Sequence, residues 1–549
     1  MKKEHLIKLF ILIISLAGFV FFTSGMDFGR SERYENLLVE RETFDTLISE
    51  RNEELDSEHP DIYFDDFSLT YDTLSNTYFY SIIEDSPSRH NPLVRTVSTR
   101  FNRYDVAILG DILNDSSIEN NEQAEILFYT DDSYKIYSIA ATTLPIVTIN
   151  MNEQISDRDN PIGDLDEPAT FTLFDNRSDV SSSDRHITSH TYARLRGASS
   201  RRFTKNQFRL NLREISIAGT ESNNHLSLLG MREDDDWILY SPYNDPEKMR
   251  NTLSNNLWYE SFATNNSLDI VNGTQGTFVE VFVDNMYWGI YTLMHPIDRK
   301  QLELDVNSRS LTSDFYYRAV TNIAFDIEDF IHPGEQYIRG RFELRDPEPN
   351  GMPEQWDPLV DHLLMIDEDE ETLIEYISTQ TDIDNLIDYY LFYILTQATD
   401  NNTKNRNYIA YYNDGEHFML ESPWDLDLTW GLRWAPGTPR LSLVTGLPDE
   451  NFSPSVSHIT RLIEMNNEQI KQQVHERYRQ LRASEWSDQA FDDRISNYES
   501  MIFKSGAAKR DYSRWPSSAY EKDADKFRAF VNERLNAMDI YLNDILGGD

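Results

Sequence analysis

Cysteine is absent from the 549 residues. That removes disulfide frameworks, thiolate metal sites, a Cys nucleophile and a lipoprotein cysteine. Basic residues are scarce: 50 Lys and Arg stand against 94 Asp and Glu, a net charge of −44. Such a surface repels phosphate backbones, so nucleic acid is not an expected partner, whereas cations, basic partners or a saline or alkaline habitat suit it. Glycine and proline are few, at 21 and 20, while apolar residues make 39% and aromatics 12%. This is globular composition, not collagenous, mostly disordered or polytopic-membrane composition. The length exceeds what one hydrophobic core usually holds, so roughly two to four lobes are expected.

Long apolar runs are missing except for one. Three lysines in Met1 to Lys8 precede the apolar stretch Leu9 to Phe22, and Thr23-Ser24-Gly25 follows. Residues 1–25 thus read as a secretory signal or an uncleaved signal anchor. The acidic bulk is expected outside the cytoplasm, secreted or held to a membrane only through that segment.

Residues 26–60 are charged and read as a stalk. Residues 61–142 alternate polar with aromatic and β-branched residues and read as a small β-rich module. Residues 143–348 are mostly strands with one helix, Pro246 to Phe262. Residues 349–549 are mostly helical, with the acidic run Asp367 to Glu371 as a solvated helix start. The fold class expected is α+β, two lobes with a cleft between them.

Tyr192 to Arg213 is unusual in so acidic a chain: from Arg194 through Arg213 there are seven Lys or Arg and no acid. Alternating apolar residues flank Gly197-Ala198-Ser199-Ser200, which reads as strand, tight turn, strand. Small residues let backbone N–H groups converge on an anion, with Arg196 and Lys205 placed to add charge-assisted contacts to phosphate. A basic strand paired with acidic neighbours fits the same residues.

Asp382 to Thr399 reads as a helix capped by Asp382, with Leu386, Tyr389, Tyr390, Tyr393 and Ile394 on one face. It runs into Asp400-Asn401-Asn402-Thr403-Lys404-Asn405, then a hairpin turning at Asn413-Asp414-Gly415, then Pro423-Trp424-Asp425-Leu426-Asp427. Phosphoryl transfer by kinases uses a loop Asp to orient the hydroxyl, an Asn five residues on, and an Asp after a short hairpin to hold magnesium. Asp400, Asn405 and Asp425 repeat that spacing with the hard oxygen donors magnesium prefers. Asp425 and Asp427 alternate on an extended segment, so both reach one ion only if the chain kinks between them. Trp424 is a stacking plane for adenine or a core residue. A calcium site or a solvated turn fits the two acids as well.

At these residues the sequence resembles the CotH kinase family, an atypical protein kinase group. The resemblance rests on "LRGASSRRFTKNQFRLNL", "LLGMREDDDWILYSPYNDPEKMRNTL", "VEVFVDNMYWGIYTLMHPIDR", "TDNNTKN", "PWDLDLTWG" and the tail "KRDYSRW", in that order. It implies an atypical protein-kinase-like fold with a β-rich N-lobe and a helical C-lobe. It also implies ATP with Mg2+ or Mn2+, and Ser phosphorylation at the cell surface or spore coat. Carried over, Asp400 is catalytic with Lys404 beside the γ-phosphate. Asn405, Asp425 and Asp427 hold metal. Lys205 is carried over as a nucleotide contact, and Arg196, Ser199, Ser200, Arg318 and Trp424 complete the expected nucleotide-binding residues. His295-Pro296 stands where the family usually has the Glu of a Lys–Glu pair. The charge points to acceptors with Ser or Thr in flexible basic segments. A catalytically weak surface structural or adhesion protein on the same fold is the alternative.

Overall fold

The computed structural model describes residues 31–54, 59–97, 104–152, 161–321, 341–402, 404–435, 438–441, 444–446 and 457–546. The signal or anchor expected over residues 1–25 lies outside them. Among the described residues no helix is long and apolar enough to cross a membrane.

Seven strands close into a barrel: β1 (Ile146–Met151), β2 (Glu167–Phe174), β3 (His186–Arg196), β4 (Gln207–Ile215), β5 (Asp236–Tyr240), β6 (Gly276–Val283) and β7 (Met286–Met294). The pairing runs β3-β2-β1-β6-β7-β5-β4 and returns to β3, because His190–Arg196 pairs with Gln207–Arg213. Only β1 and β6 run parallel within this ring. Alternate residues fill the interior, including Val147 and Ile149, Phe171 and Leu173, Leu210 and Leu212, Val279 and Val281. Period-two burial of this kind is what β-branched and aromatic alternation encodes.

A second sheet has the order β9 (Phe342–Asp346), β8 (Phe315–Ala319), β10 (Arg406–Asn413), β11 (Glu416–Pro423). Its two faces alternate strictly. Tyr316, Ile409 and Leu420 pack with Ile238, Tyr240 and Met294 of the barrel. Tyr317, Tyr408 and Met419 pack on Leu359 and Leu363 of the helix Asp357–Leu364. The β10–β11 hairpin is the one expected around Asn413-Asp414-Gly415.

Of the helices, α1 (Arg250–Ser261) begins later than expected, since Lys248 sits at φ 65. The next, α2 (Ile383–Thr396), is capped by Asp382, whose carboxylate accepts from Asn385 N at 2.9 Å. It ends at Thr396, three residues early, because Gln397 turns left-handed. Every residue from Asn385 to Thr396 is buried, not one face only. The acidic run starts a helix, Glu370–Gln380, with Asp369 as its cap.

The stalk expectation is corrected for residues 31–54. Tyr34 and Phe44 are buried, and Glu32–Arg33 pairs with Leu93–Val94, so this segment belongs to the N-terminal β module. One aromatic side chain buried in each of its two helices, Tyr34 and Phe44, outweighs the charged sequence around it.

The late helix α3 (Ala507–Arg514) docks on β7. Asp511 Oδ1 accepts from Ile290 N at 3.1 Å and from Lys205 Nζ at 2.5 Å, and Lys248 Nζ lies 3.5 Å from Oδ2. All three side chains have no solvent exposure. Asp511→Ala should strand two buried ammonium groups and cost about 3–5 kcal/mol, read as a lower denaturant midpoint; a midpoint within error of wild type contradicts this account.

Candidate active site

A cleft of about 790 Å³ opens between the barrel rim and the second sheet. One wall is the β3–β4 connection. It is longer than the tight turn expected, running from Gly197 to Asn206 with a 3-10 turn at Ser199–Arg202. Gly197 holds φ +98, and a Cβ there would sit 2.0 Å from Ser200 Oγ, so only glycine lets the chain fold back over the serine. Ser199 and Ser200 line the cleft. Arg196 ends β3, and its Nη1 donates to Gln207 Oε1 at 2.9 Å.

The facing wall is built by two segments clamped together. Asn401 is buried, and its Nδ2 donates to Asn405 O and Trp424 O, both at 2.8 Å. Trp424 N donates to Asn405 O at 2.9 Å, and Asn405 N donates to Ala319 O at 2.9 Å. These bonds bring Asn405 Nδ2 to 3.4 Å from Asp425 Oδ2. Asp400 sits on the 3-10 turn Thr399–Asn401, with Lys404 Nζ 2.7 Å from its Oδ2. The kink needed between Asp425 and Asp427 is present: Asp425 is left-handed at φ 57, and Leu426 N donates to Asn251 Oδ1 at 2.9 Å. Leu426 is buried in the helical core, while both aspartates line the cleft.

The charges are crowded. Burial, then Asp425 and Asp400, pushes the Asp427 carboxyl well above the usual carboxylate range. Burial also raises Asp425, against the pull of Arg196 and Lys404. Burial works against the Lys404 charge, but Asp400, with Asp425 and Asp427 behind it, keeps it above the ordinary lysine value. Burial brings Arg196 down to about 10 despite Asp425. Carboxylates forced together with too little compensation favour an added divalent cation. Asn405, Asp425 and Asp427 fit that group: rotation of the Asn405 amide would present its oxygen beside Asp425. Asp400, Asp425 and Asp427 do not gather within 4.8 Å of one another, so they do not form one tight three-carboxylate cage.

Two of the expected nucleotide contacts, Lys205 and Trp424, line the cleft but are also engaged within the protein. Lys205 reaches the inner wall, but its ammonium is buried and donates to Ile290 O and Asp511. Burial lowers it to about 8 even so. Its carboxylate partner comes from the tail, not from the His295-Pro296 region. Trp424 is buried, and the guanidiniums of Arg318 and Arg196 lie 4.6 and 5.3 Å from its ring centre, so the ring organises arginines. Arg318 is further held by Asn407 Oδ1 at 2.8 Å.

Asn401, Asn251 and Asp511 were not singled out from the sequence. Each lies inside a motif already quoted, but a buried amide or carboxylate that holds backbone carries no spacing signature of its own.

The family described as CotH kinase protein matches residues 193–538. That is more than half of the chain, and the protein belongs to this family. Comparison with curated proteins gave no match.

The folded-state pKa of Asp427 is raised, so the folded chain keeps a proton that the unfolded chain gives up. This group's contribution to stability therefore falls as pH rises from the ordinary carboxylate range towards the raised value. Asp427→Asn should stabilise the metal-free protein at neutral pH by about 0.5–2 kcal/mol. The gain should vanish below about pH 4 and shrink in saturating Mg2+. A thermal scan in chelator showing a lower midpoint for the variant would contradict this.

Proposed function

We propose that the protein is an ATP-dependent protein Ser/Thr kinase of the CotH type. In this reading the barrel serves as the N-lobe, and the second sheet with the helical core serves as the C-lobe of a kinase-like arrangement. The observation that carries the reading is the convergence of Asp400, Asn405 and Asp425 on one wall of a cleft whose other wall is the basic Gly197–Asn206 connection.

The chemistry follows from the residues. The acceptor hydroxyl oxygen bonds to the γ-phosphorus as the bond to the bridging oxygen of ADP breaks, and the hydroxyl proton passes to Asp400. Lys404 holds Asp400 in one rotamer and faces the transferring group. Arg196 and Arg318 face the phosphates, with Ser199 and Ser200, on the same wall as Arg196, as hydroxyl donors. A bound Mg2+ or Mn2+ neutralises phosphoryl charge, and Asn405, Asp425 and Asp427 are the residues to hold it.

Asp400→Ala should cut phosphate transfer by on the order of 10²–10⁴-fold while calorimetry shows Mg-ATP binding largely kept. Near wild-type turnover of labelled ATP would remove Asp400 from the chemistry. The alternative, a surface structural or adhesion protein on the same fold, draws on the commitment of Lys205 and Trp424 to contacts within the protein. Absence of autophosphorylation with either metal would favour it.

We further propose that the protein works outside the cytoplasm on Ser or Thr in flexible basic segments. The support is the charge of −44, which attracts Lys- and Arg-rich segments. On a peptide array the preference for basic over acidic acceptors should be largest at low salt and fade as screening shortens to about 8 Å. Equal rates on both classes at low salt would refute it.

A further inference from the structure

Beneath the β10–β11 hairpin, away from the cleft, three buried side chains meet. They are His362 of the helix Asp357–Leu364, Glu421 of β11 and His458 of the helix His458–Glu464. One ligand atom from each lies within 4.8 Å of the others. His362 Nε2 stands 2.9 Å from Glu421 Oε1, and the two imidazole rings are 4.3 Å apart.

We propose that His362, Glu421 and His458 form a buried binding site for a divalent transition metal of the zinc class, distinct from the all-oxygen site of the cleft.

Two features carry this. First, His458 Nε2 lies 2.8 Å from the His362 carbonyl, which can only accept, so Nε2 bears the proton and Nδ1 is a bare lone pair. That Nδ1 is buried with no hydrogen-bond partner among the described residues. An orphaned acceptor in the interior is costly, and a cation removes the cost.

Second, the remaining polar atom of every ligand is already engaged. His362 Nδ1 meets Tyr376 OH at 2.9 Å, and Glu421 Oε2 accepts from Arg406 Nε at 2.8 Å. His458 uses its other nitrogen on the carbonyl. Metal ligands are oriented by outer partners in this way. Tetrahedral coordination at 2.0–2.2 Å separates ligand atoms by about 3.3 Å, so only a small shift of His362 and Glu421 is required. Two imidazoles and one carboxylate select zinc-class ions over magnesium. Arg406 already draws on the one carboxylate, so affinity should fall below that of a site with two acids. The ion would brace β11 and two helices under the hairpin that carries Asp425.

The test is a Co2+ titration of the purified protein in excess Mg2+, read by visible absorption, with Zn2+ competition and a thermal scan. Expected are one equivalent of Co2+ per chain, displacement by Zn2+ and a higher midpoint with Zn2+. The signal should be kept in Asp425→Asn and lost in His458→Gln. No Co2+ uptake by wild type overturns the site, as does a signal that survives His458→Gln or disappears in Asp425→Asn. If His458→Gln does not fold, the wild-type and Asp425→Asn titrations decide alone.

Discussion

The carboxylate of Asp511 is the contact on which the cleft's upper wall depends. It is fully buried, and it gathers Lys205, Lys248 and the Ile290 N–H onto two oxygens. In a low-dielectric interior, removing one partner of such a group leaves uncompensated charge. Lys205 ends the Gly197–Asn206 connection, so a helix 306 residues away in sequence fixes a loop that lines the site. Gly289 shows how close the fit is: at φ +111, a Cβ there would lie 2.2 Å from Asp511 Oδ1. The neighbouring Arg510–Glu280 pair at 2.8 Å and the Trp515 Nε1 bond to Trp288 O at 2.7 Å extend the same dock.

The lower wall is governed by backbone strain. Gln397, Asn405, Asp425 and Trp430 all hold positive φ. Left-handed non-glycine residues persist only where surrounding bonds over-determine them, at about 1–3 kcal/mol each. Those bonds come from Asn401, which ties Asn405 to Trp424, and from Asn251, which holds Leu426 N. The strain therefore sits beside the crowded aspartates. Concentrating unfavourable backbone and unfavourable charge in one place is expected of a site arranged for a ligand.

Local signals were legible in the sequence. The Asp382 cap, the hairpin at Asn413-Asp414-Gly415 and the five-residue interval from Asp400 to Asn405 are short-range patterns, and Asp400 and Asn405 line one wall of the cleft. The kink at Asp425 was legible only as a condition, because its cause is a side chain on α1. Barrel closure was not legible either. It needs β1 beside β6 and β5 between β4 and β7, and alternation tells which face is buried, not which strand is the neighbour. The partner of Lys205 was not legible for the same reason. A lysine in a basic loop suggests a phosphate contact until its partner, far along the chain, is known. The stalk failed because charge density conceals single anchors such as Tyr34 and Phe44.

The distribution of charge joins these observations. The whole chain carries nearly two acids per base, yet the cleft is lined by eight Lys or Arg and seven Asp or Glu. The acid is therefore concentrated elsewhere on the protein. An ATP phosphate chain entering a uniformly acidic protein would meet repulsion at every step, and local compensation removes that barrier where binding occurs. The same separation leaves the excess acid outside the cleft. On the proposed function, that acidic surface suits a basic acceptor, with attraction reaching over a Debye length of about 8 Å, and the cleft arginines suit an anionic donor. The two demands of that reading, attracting a cationic segment and binding an anionic donor, call for charge populations in different parts of one chain, and the lining of the cleft against the rest of the chain has that separation.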